Sequence, residues 1–327
     1  MSQHAIGGYF ELPLVSQQEQ ILPQAARFQS ARSAFLTLLR LGKPRRVWMP
    51  YYLCDSMYAP LREAGVPWQS YSLSEAFEIA GEPDVREGDW LYYVNYFGIC
   101  DGKIDALLHQ YNPQQVVLDH CQAFYSQPRS CLANIYSPRK FFGVPDGGLL
   151  ITALPVEEPA QEDTESIARA SYLLKRFADT PEAGYGDYQA SERSLDNMEP
   201  RRMSRLTEKL LSSVSLKDVM ERRNANFGYL QQRLSEWNRC AIPETVNAPL
   251  CYPLLVKSPG LREHLIGQRI FVPKYWPDVQ NSVEEGSVEH VFTNCLLPLP
   301  CDQRYGVEDM MRIADTCIDY INRNCNS

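Results

Sequence analysis

From residue 30 to residue 152 short apolar runs alternate with helix-patterned segments, and this alternation restricts the chain more than any other feature. It is the signature of a sheet whose parallel strands are joined by crossover helices. The strand-like runs are RVWMP (46 to 50), WQSYSL (68 to 73), WLYYV (90 to 94), QVVLD (115 to 119), CLANIY (131 to 136) and GLLIT (148 to 152). Between them, SARSAFLTLLRLG has Ser30 as a cap, Phe35, Leu36, Leu38 and Leu39 as an apolar face, and Gly42 as a stop. LCDSMYAPLREAG ends the same way at Gly65. DGKIDALLHQYNP starts at Asp101, puts Ile104, Leu107, Leu108 and Tyr111 on one face, and stops at Asn112-Pro113.

Beyond residue 152 the texture changes. The acidic stretch PVEEPAQEDTES precedes a helix, IARASYLLKRFA, then a loop expected from Thr180 to Asn197. A long helical region follows from Arg202 to about Leu234, broken at SSVS. Residues 238 to 327 carry the strand patterns CYPLLV, RIFVP and CLLPLP. A last amphipathic helix has Val307, Met310, Met311, Ala314, Cys317, Ile318 and Ile321 on its apolar side. A chain of 327 residues suits two domains, a large one at 1 to 235 and a small α+β domain at 236 to 327.

Several function classes fall away. A formal net charge of -8 does not suit a protein devoted to coating nucleic acid. No apolar run is long enough to span a bilayer, and MSQHAIGGYFELPLV lacks the parts of a signal peptide, so a cytoplasmic protein is expected. The ten cysteines form no CxxC and read as free, largely buried thiols. His4, His109, His264 and His290 show no metal-ligand spacing. A dinucleotide fingerprint, a P-loop, HExxH and GxSxG are all absent.

Chemistry must then come from loops at the carboxyl ends of the strands. Asp119 closes QVVLD, and Lys140 lies 21 residues later, after the next strand. Both reach one edge if CLANIY is the neighbouring strand. Alone, Asp119 reads as a cap or turn residue. Together the two read as an ion pair, or as the groups that pyridoxal 5'-phosphate requires: an amine for its aldehyde and a carboxylate for its ring nitrogen. The helix start at Ser30, Ala31 and Arg32 offers amides and a positive dipole end to a phosphate. Tyr51 and Tyr52, or Tyr96 and Phe97, offer aromatic faces, although tyrosines so placed more often pack in cores. His120 points away from Asp119 on an extended strand and reads as structural, or as a support behind the groups at the edge.

VLDHCQAF, a strand, and SPRKFFGVPDGGLLIT together resemble the DegT/StrS-type sugar aminotransferases. The likeness extends to GGYFELPL, SARSAF, MPYYLC, NYFGICDGKIDAL, RRMSRL and the last helix after LPLPCDQRYG. The resemblance implies a PLP-transferase-like three-layer sandwich with a mixed, mostly parallel central sheet and a smaller C-terminal α+β domain. It implies a pyridoxal-phosphate-dependent transaminase that moves an amino group from glutamate or glutamine to a keto acceptor, a nucleotide-linked keto sugar. It also implies a homodimer with shared active sites. Residue by residue, Lys140 would bind the cofactor covalently and shuttle the proton, Asp119 would face the ring nitrogen, and Gln122 would donate to the phenolic oxygen. Tyr52 would stack on the ring, and Ala31 and Arg32 would hold the phosphate.

The chain departs from the family pattern at four places. Ile135 stands where a phosphate-binding Ser is common, which makes Ser137 the nearest hydroxyl. Phe141 follows Lys140 where Asn is usual, Asn95 replaces a His, and Glu199-Pro200-Arg201-Arg202-Met203 replaces a segment with an Asn before its Arg-Met pair. Arg32, Arg139 or Arg201 is then expected to supply charge to the phosphate. The departures leave a second reading open, a scaffold kept for binding or regulation without turnover. A dehydratase is disfavoured, because the family's dehydratases carry His where Lys140 stands.

Overall fold

A computed structural model describes residues 9 to 16 and 21 to 325. His4 and the Gly7-Gly8 pair of GGYFELPL lie outside the described residues. The strands are β1 (Ala26–Phe28), β2 (Arg46–Pro50), β3 (Trp68–Leu73), β4 (Ile79–Ala80), β5 (Asp89–Val94), β6 (Val116–Asp119), β7 (Ala133–Tyr136), β8 (Gly148–Thr152), β9 (Tyr252–Leu255) and β10 (Leu296–Leu299). The helices are α1 (Ala31–Gly42), α2 (Ala59–Ala64), α3 (Asp101–Gln110), α4 (Ser166–Arg169), α5 (Ser171–Ala178), α6 (Pro181–Ser194), α7 (Arg205–Ser212), α8 (Leu216–Leu234), α9 (Leu261–Gly267), α10 (Val288–Cys295) and α11 (Val307–Cys325).

Eight strands form one sheet in the order β1-β8-β7-β6-β5-β2-β3-β4. The run from β7 through β6, β5 and β2 to β3 is parallel, while β8, β1 and β4 pair antiparallel. This is the mixed, mostly parallel sheet expected. Strands β5, β6 and β7 are buried along their whole length, as continuous apolar strands covered on both faces are. The register sets Val94 beside Asp119, Asp119 beside Ile135, Tyr136 beside Leu149 and Phe28 beside Gly148. One edge of the sheet therefore collects the ends of β1, β2, β5, β6 and β7 and the start of β8.

Helix α1 leaves that edge directly after β1. Ser30 caps it, its hydroxyl accepting from the Ser33 amide at 3.1 Å, and Phe35, Leu38 and Leu39 face the core. The C-terminal part is a two-stranded antiparallel sheet, β9 with β10, against which α8 packs, with α11 packed on α8. Its apolar residues join those of the large sheet in one buried cluster that runs from Phe35 and Tyr92 to Phe292 and Ile313. A smaller cluster of Tyr136, Phe141, Phe142, Met203 and Leu211 surrounds the segment after Lys140. No described helix is long and apolar enough to cross a membrane. The nine described cysteines are free.

Four expectations need correction. The loop expected from Thr180 to Asn197 is mostly helix α6, which Thr180 caps and Pro181 opens; Gly184, read as a loop residue, lets α6 approach the Tyr172 carbonyl, where a Cβ would sit at 2.9 Å. The helix expected at IARASYLLKRFA divides into α4 and α5 at Ala170. RIFVP is not a strand: Ile270 and Val272 are buried, but β9 and β10 pair only with each other, Arg269 turns at φ 59°, and Pro273 lacks a donor. Gly42 is the last helical residue of α1, and Lys43 takes the left-handed cap at φ 46°. Gly42 is small because Trp90 lies on it, 2.3 Å from where a Cβ would stand. The break at SSVS stands, with α7 ending at Ser212 and Ser215 capping α8.

Candidate functional site

Asp119 ends β6 with 4% of its surface exposed. Its Oδ1 accepts from the Cys121 amide and its Oδ2 from the Tyr92 hydroxyl, each at 2.8 Å. Tyr92 sits on β5, two residues before the Val94 that pairs with Asp119, so its long side chain reaches across the diagonal. Burial, then the Asp119 charge, push the Tyr92 phenol well above its usual range, which keeps it a donor. The carboxylate is thus fixed in orientation by two donors.

Lys140 is the last residue of a single tight turn, Pro138–Lys140, that leaves β7. The turn is closed by the Phe141 and Phe142 amides, which donate to the Pro138 carbonyl at 3.0 and 2.9 Å. Lys140 is exposed, and among the described residues no hydrogen bond or ion pair engages its amine. Its charge nonetheless acts on Cys121, two residues beyond Asp119, opposing the burial that pushes that thiol up. Because β7 is the neighbour of β6, the amine and the carboxylate do occupy one edge. They are not joined as the ion pair that was one reading of them.

The chain returns to the sheet through Gly147 and Gly148. Gly147 has φ 130° and donates its amide to the Gln29 carbonyl at 2.7 Å. At Gly148 a Cβ would lie 2.3 Å from the Ser30 carbonyl oxygen and 2.5 Å from the Ala31 amide nitrogen. Only glycine lets β8 begin so close to the opening turn of α1, which carries amides without acceptors inside the helix. Ala31 is buried there and Arg32 is half-buried. Arg32 is held by Asp196 at 2.7 Å, and Arg139 by Glu192. Arg201 lies beside the same helix start through its backbone, its amide donating to Gln29 Oε1 at 2.8 Å and its carbonyl accepting from the Gln29 amide at 2.9 Å. Ser137 is buried at the head of the lysine turn and makes no capping bond through its hydroxyl.

Gln122 is buried one turn beyond Asp119, its Oε1 accepting from the Phe97 amide at 2.9 Å. That bond steadies a loop in which Phe97 holds φ 55° and Gly98 φ 77°. Tyr52 is buried after β2, with its ring centroid 4.6 Å from Trp276 and 5.4 Å from Phe292. Tyr51 beside it is half-buried. Tyr96, the other aromatic considered, donates its hydroxyl to the Tyr52 carbonyl at 2.8 Å. His120 faces the other way. Its Nε2 donates to Asn134 Oδ1 at 3.2 Å, its Nδ1 accepts from Asn95 at 3.4 Å, and its ring stacks on Tyr136. Burial lowers its pKa to about 4, so it is a neutral strut beneath the edge.

Sequence reasoning missed Tyr92 and the two acids, Glu192 and Asp196, that engage the arginines. A tyrosine in an apolar strand gives no sign of its hydroxyl's partner. The acids went unnoticed because α6 had been read as loop.

Sequence comparison finds no family model and no curated protein that matches the chain. Solved structures do match. A DegT DnrJ EryC1 StrS aminotransferase from Brucella abortus is 16% identical, covers 90% of this chain and 85% of its own, and superposes with a TM-score of 0.62. The sugar aminotransferase CalS13 from Micromonospora echinospora is 15% identical, with 90% and 86% covered and a TM-score of 0.62. NtdA from Bacillus subtilis, solved with bound cofactor PMP, is 15% identical, with 91% and 73% covered and a TM-score of 0.64. The chain thus has the fold of these aminotransferases.

Proposed function

We propose that this protein is a pyridoxal 5'-phosphate-dependent aminotransferase whose acceptor is a keto sugar carried on a nucleotide. The observation that carries the reading is the buried Asp119 carboxylate, fixed by Tyr92 and the Cys121 amide, on the same sheet edge as a Lys140 amine that no hydrogen bond or ion pair engages among the described residues. The residues fit the cofactor. A carboxylate for the ring nitrogen, an amine for the aldehyde and a helix start crowded by Gly148 for the phosphate meet at one edge. When bound, pyridoxal 5'-phosphate supplies the aldehyde that condenses with amines and the ring that takes up electrons from the substrate carbon.

The chain's own groups do the rest. Lys140 Nζ would hold the cofactor covalently, and its amine, when free, would take and return the proton at the substrate carbon. Asp119 holds a proton on the ring nitrogen, and Tyr92 keeps the carboxylate from turning. Ala31, Arg32 and Ser137 serve the phosphate, Gln122 the phenolic oxygen, and Tyr52 or Tyr51 the ring face. The large part at 1 to 235 and the small part at 236 to 327 are the two walls of this site. A cytoplasmic homodimer belongs to the same reading. In support of the dimer, α5 has no buried residue and exposes Leu174 and Phe177, the latter at 93%.

The second reading, a cofactor-binding protein without turnover, draws on the acids that already occupy Arg32 and Arg139. Adding glutamate to the protein loaded with pyridoxal 5'-phosphate separates the two. The aminotransferase reading expects the visible absorption of the bound cofactor to fall, and to return when a keto acid is supplied. A spectrum unmoved by glutamate, glutamine and the other common amino donors would leave the binding role instead.

A further inference from the structure

Arg223, on α8, is among the largest fully buried side chains, with 2% of its surface exposed. Among the described residues no carboxylate pairs with it. Asp302, the nearby acid, is taken by Arg304 at 2.7 Å. Its guanidinium is satisfied by neutral oxygens: Nη1 donates to the Pro249 and Leu250 carbonyls at 2.9 and 3.2 Å, Nε to Gln303 Oε1 at 2.8 Å, and Nη2 to the Phe141 carbonyl at 3.4 Å. Gln303 then donates its own amide to that same Phe141 carbonyl at 2.7 Å. The guanidinium carbon also lies 4.5 Å from the centre of the Phe141 ring.

A cation buried without a counter-charge is a poor way to gain stability, because desolvation is offset only by dipoles. A planar fork of donors does, however, fix the direction of whatever it binds. Here it converges with Gln303 on the carbonyl of Phe141, the residue that follows Lys140. The lysine turn is thus held at the Pro138 carbonyl by the Phe141 and Phe142 amides, and at the Phe141 carbonyl by this pair. Phe141 also packs against Phe124 and Tyr125, with ring centroids 5.8 and 6.2 Å away.

We infer that Arg223 and Gln303 are positioning residues: they clamp the Phe141 carbonyl and so aim Lys140 at the sheet edge. The inference rests on Lys140 being the point of covalent attachment. Two side chains distant in sequence, one from α8 and one from the segment before α11, thus set the reach of an amine at the edge of the large sheet. A mere tie between the two parts would hold equally well on any carbonyl. A clamp matters only through the lysine.

The test is the rate at which the apo-protein captures pyridoxal 5'-phosphate, followed by visible absorption and fixed at intervals with borohydride. Gln303→Leu, half-buried and close in size, keeps the fold and removes the shorter of the two bonds to Phe141. Its capture rate should fall on the order of tenfold, the scale expected when a reacting group is slightly misplaced. Gln303→Glu, which strengthens the tie to Arg223 but cannot donate to the carbonyl when ionised, should also slow capture while melting no lower than the unsubstituted protein. Leu230→Ala, a buried change on the same helix, should lower the melting temperature and leave capture at its original rate. Gln303→Leu capturing at the original rate overturns the clamp, as does Leu230→Ala slowing capture equally. An unsubstituted protein that captures nothing removes the aminotransferase reading and the clamp with it, an outcome distinct from matched rates.

Discussion

His120 shows how much the side of a strand decides. It adjoins Asp119 in sequence, yet it points into a closed network of Asn95, Asn134 and Tyr136 that can serve only the neutral ring. With its pKa lowered to about 4 by burial, the unfolded chain binds the proton more readily than the folded one. The resulting stability is fully present above about pH 6.5 and is lost as the pH falls towards 4, amounting to on the order of 3 kcal/mol. Urea unfolding of the unsubstituted protein and of His120→Gln, at about pH 7.5 and about pH 5, measures this. The unsubstituted protein should lose more stability between the two pH values, and equal losses would contradict the account. At this scale the shared edge of Asp119 and the Lys140 turn was legible, because a strand end and the length of the next strand suffice to place them. Tyr92 was not. Its hydroxyl acts across a register that no single strand reveals.

At the scale of elements, the proposed phosphate site depends on the meeting of β8 with the start of α1. Gly148→Ala would drive a methyl group into the Ser30 carbonyl, a backbone atom that cannot step aside as a flexible side chain would. It should cost about 1–3 kcal/mol or more in chemical denaturation and abolish pyridoxal 5'-phosphate binding. Normal binding would mean that the phosphate does not depend on this junction. The segment from α6 to Asp196 acts on the same helix start in the opposite sense, since Asp196 occupies Arg32. Asp196→Asn should release that arginine and lower the Kd for pyridoxal 5'-phosphate in equilibrium titration, and a raised Kd would show that Asp196 instead holds Arg32 in place for the ligand. The start of α6 was available in Thr180-Pro181, a cap followed by a residue suited to the first helical position. Its two glycines and its polar composition hid it. RIFVP erred in the other direction, since alternation identifies buried side chains but supplies no backbone partner.

Over the whole molecule, the order of strands in the large sheet explains why distant parts of the chain share a site. β1 and β8 join the sheet antiparallel, so the beginning of α1 and the Gly147-Gly148 return lie at the same edge as the carboxyl ends of β5, β6 and β7. The parallel core was readable from its alternation with helices. Strand β1 was not, because its three residues carry no pattern of their own. Helix α8 packs on β9 and α11, and the apolar cluster is continuous from the large sheet to these elements. That continuity lets Arg223 and Gln303 reach the lysine turn. Every functional statement finally depends on one amine. The most direct test is to add pyridoxal 5'-phosphate to the purified protein, reduce with borohydride, and map the modified lysine by peptide mass spectrometry. The account predicts a stoichiometric pyridoxyl group on Lys140, absent in Lys140→Ala. Modification scattered over other lysines, or no modification, would contradict it.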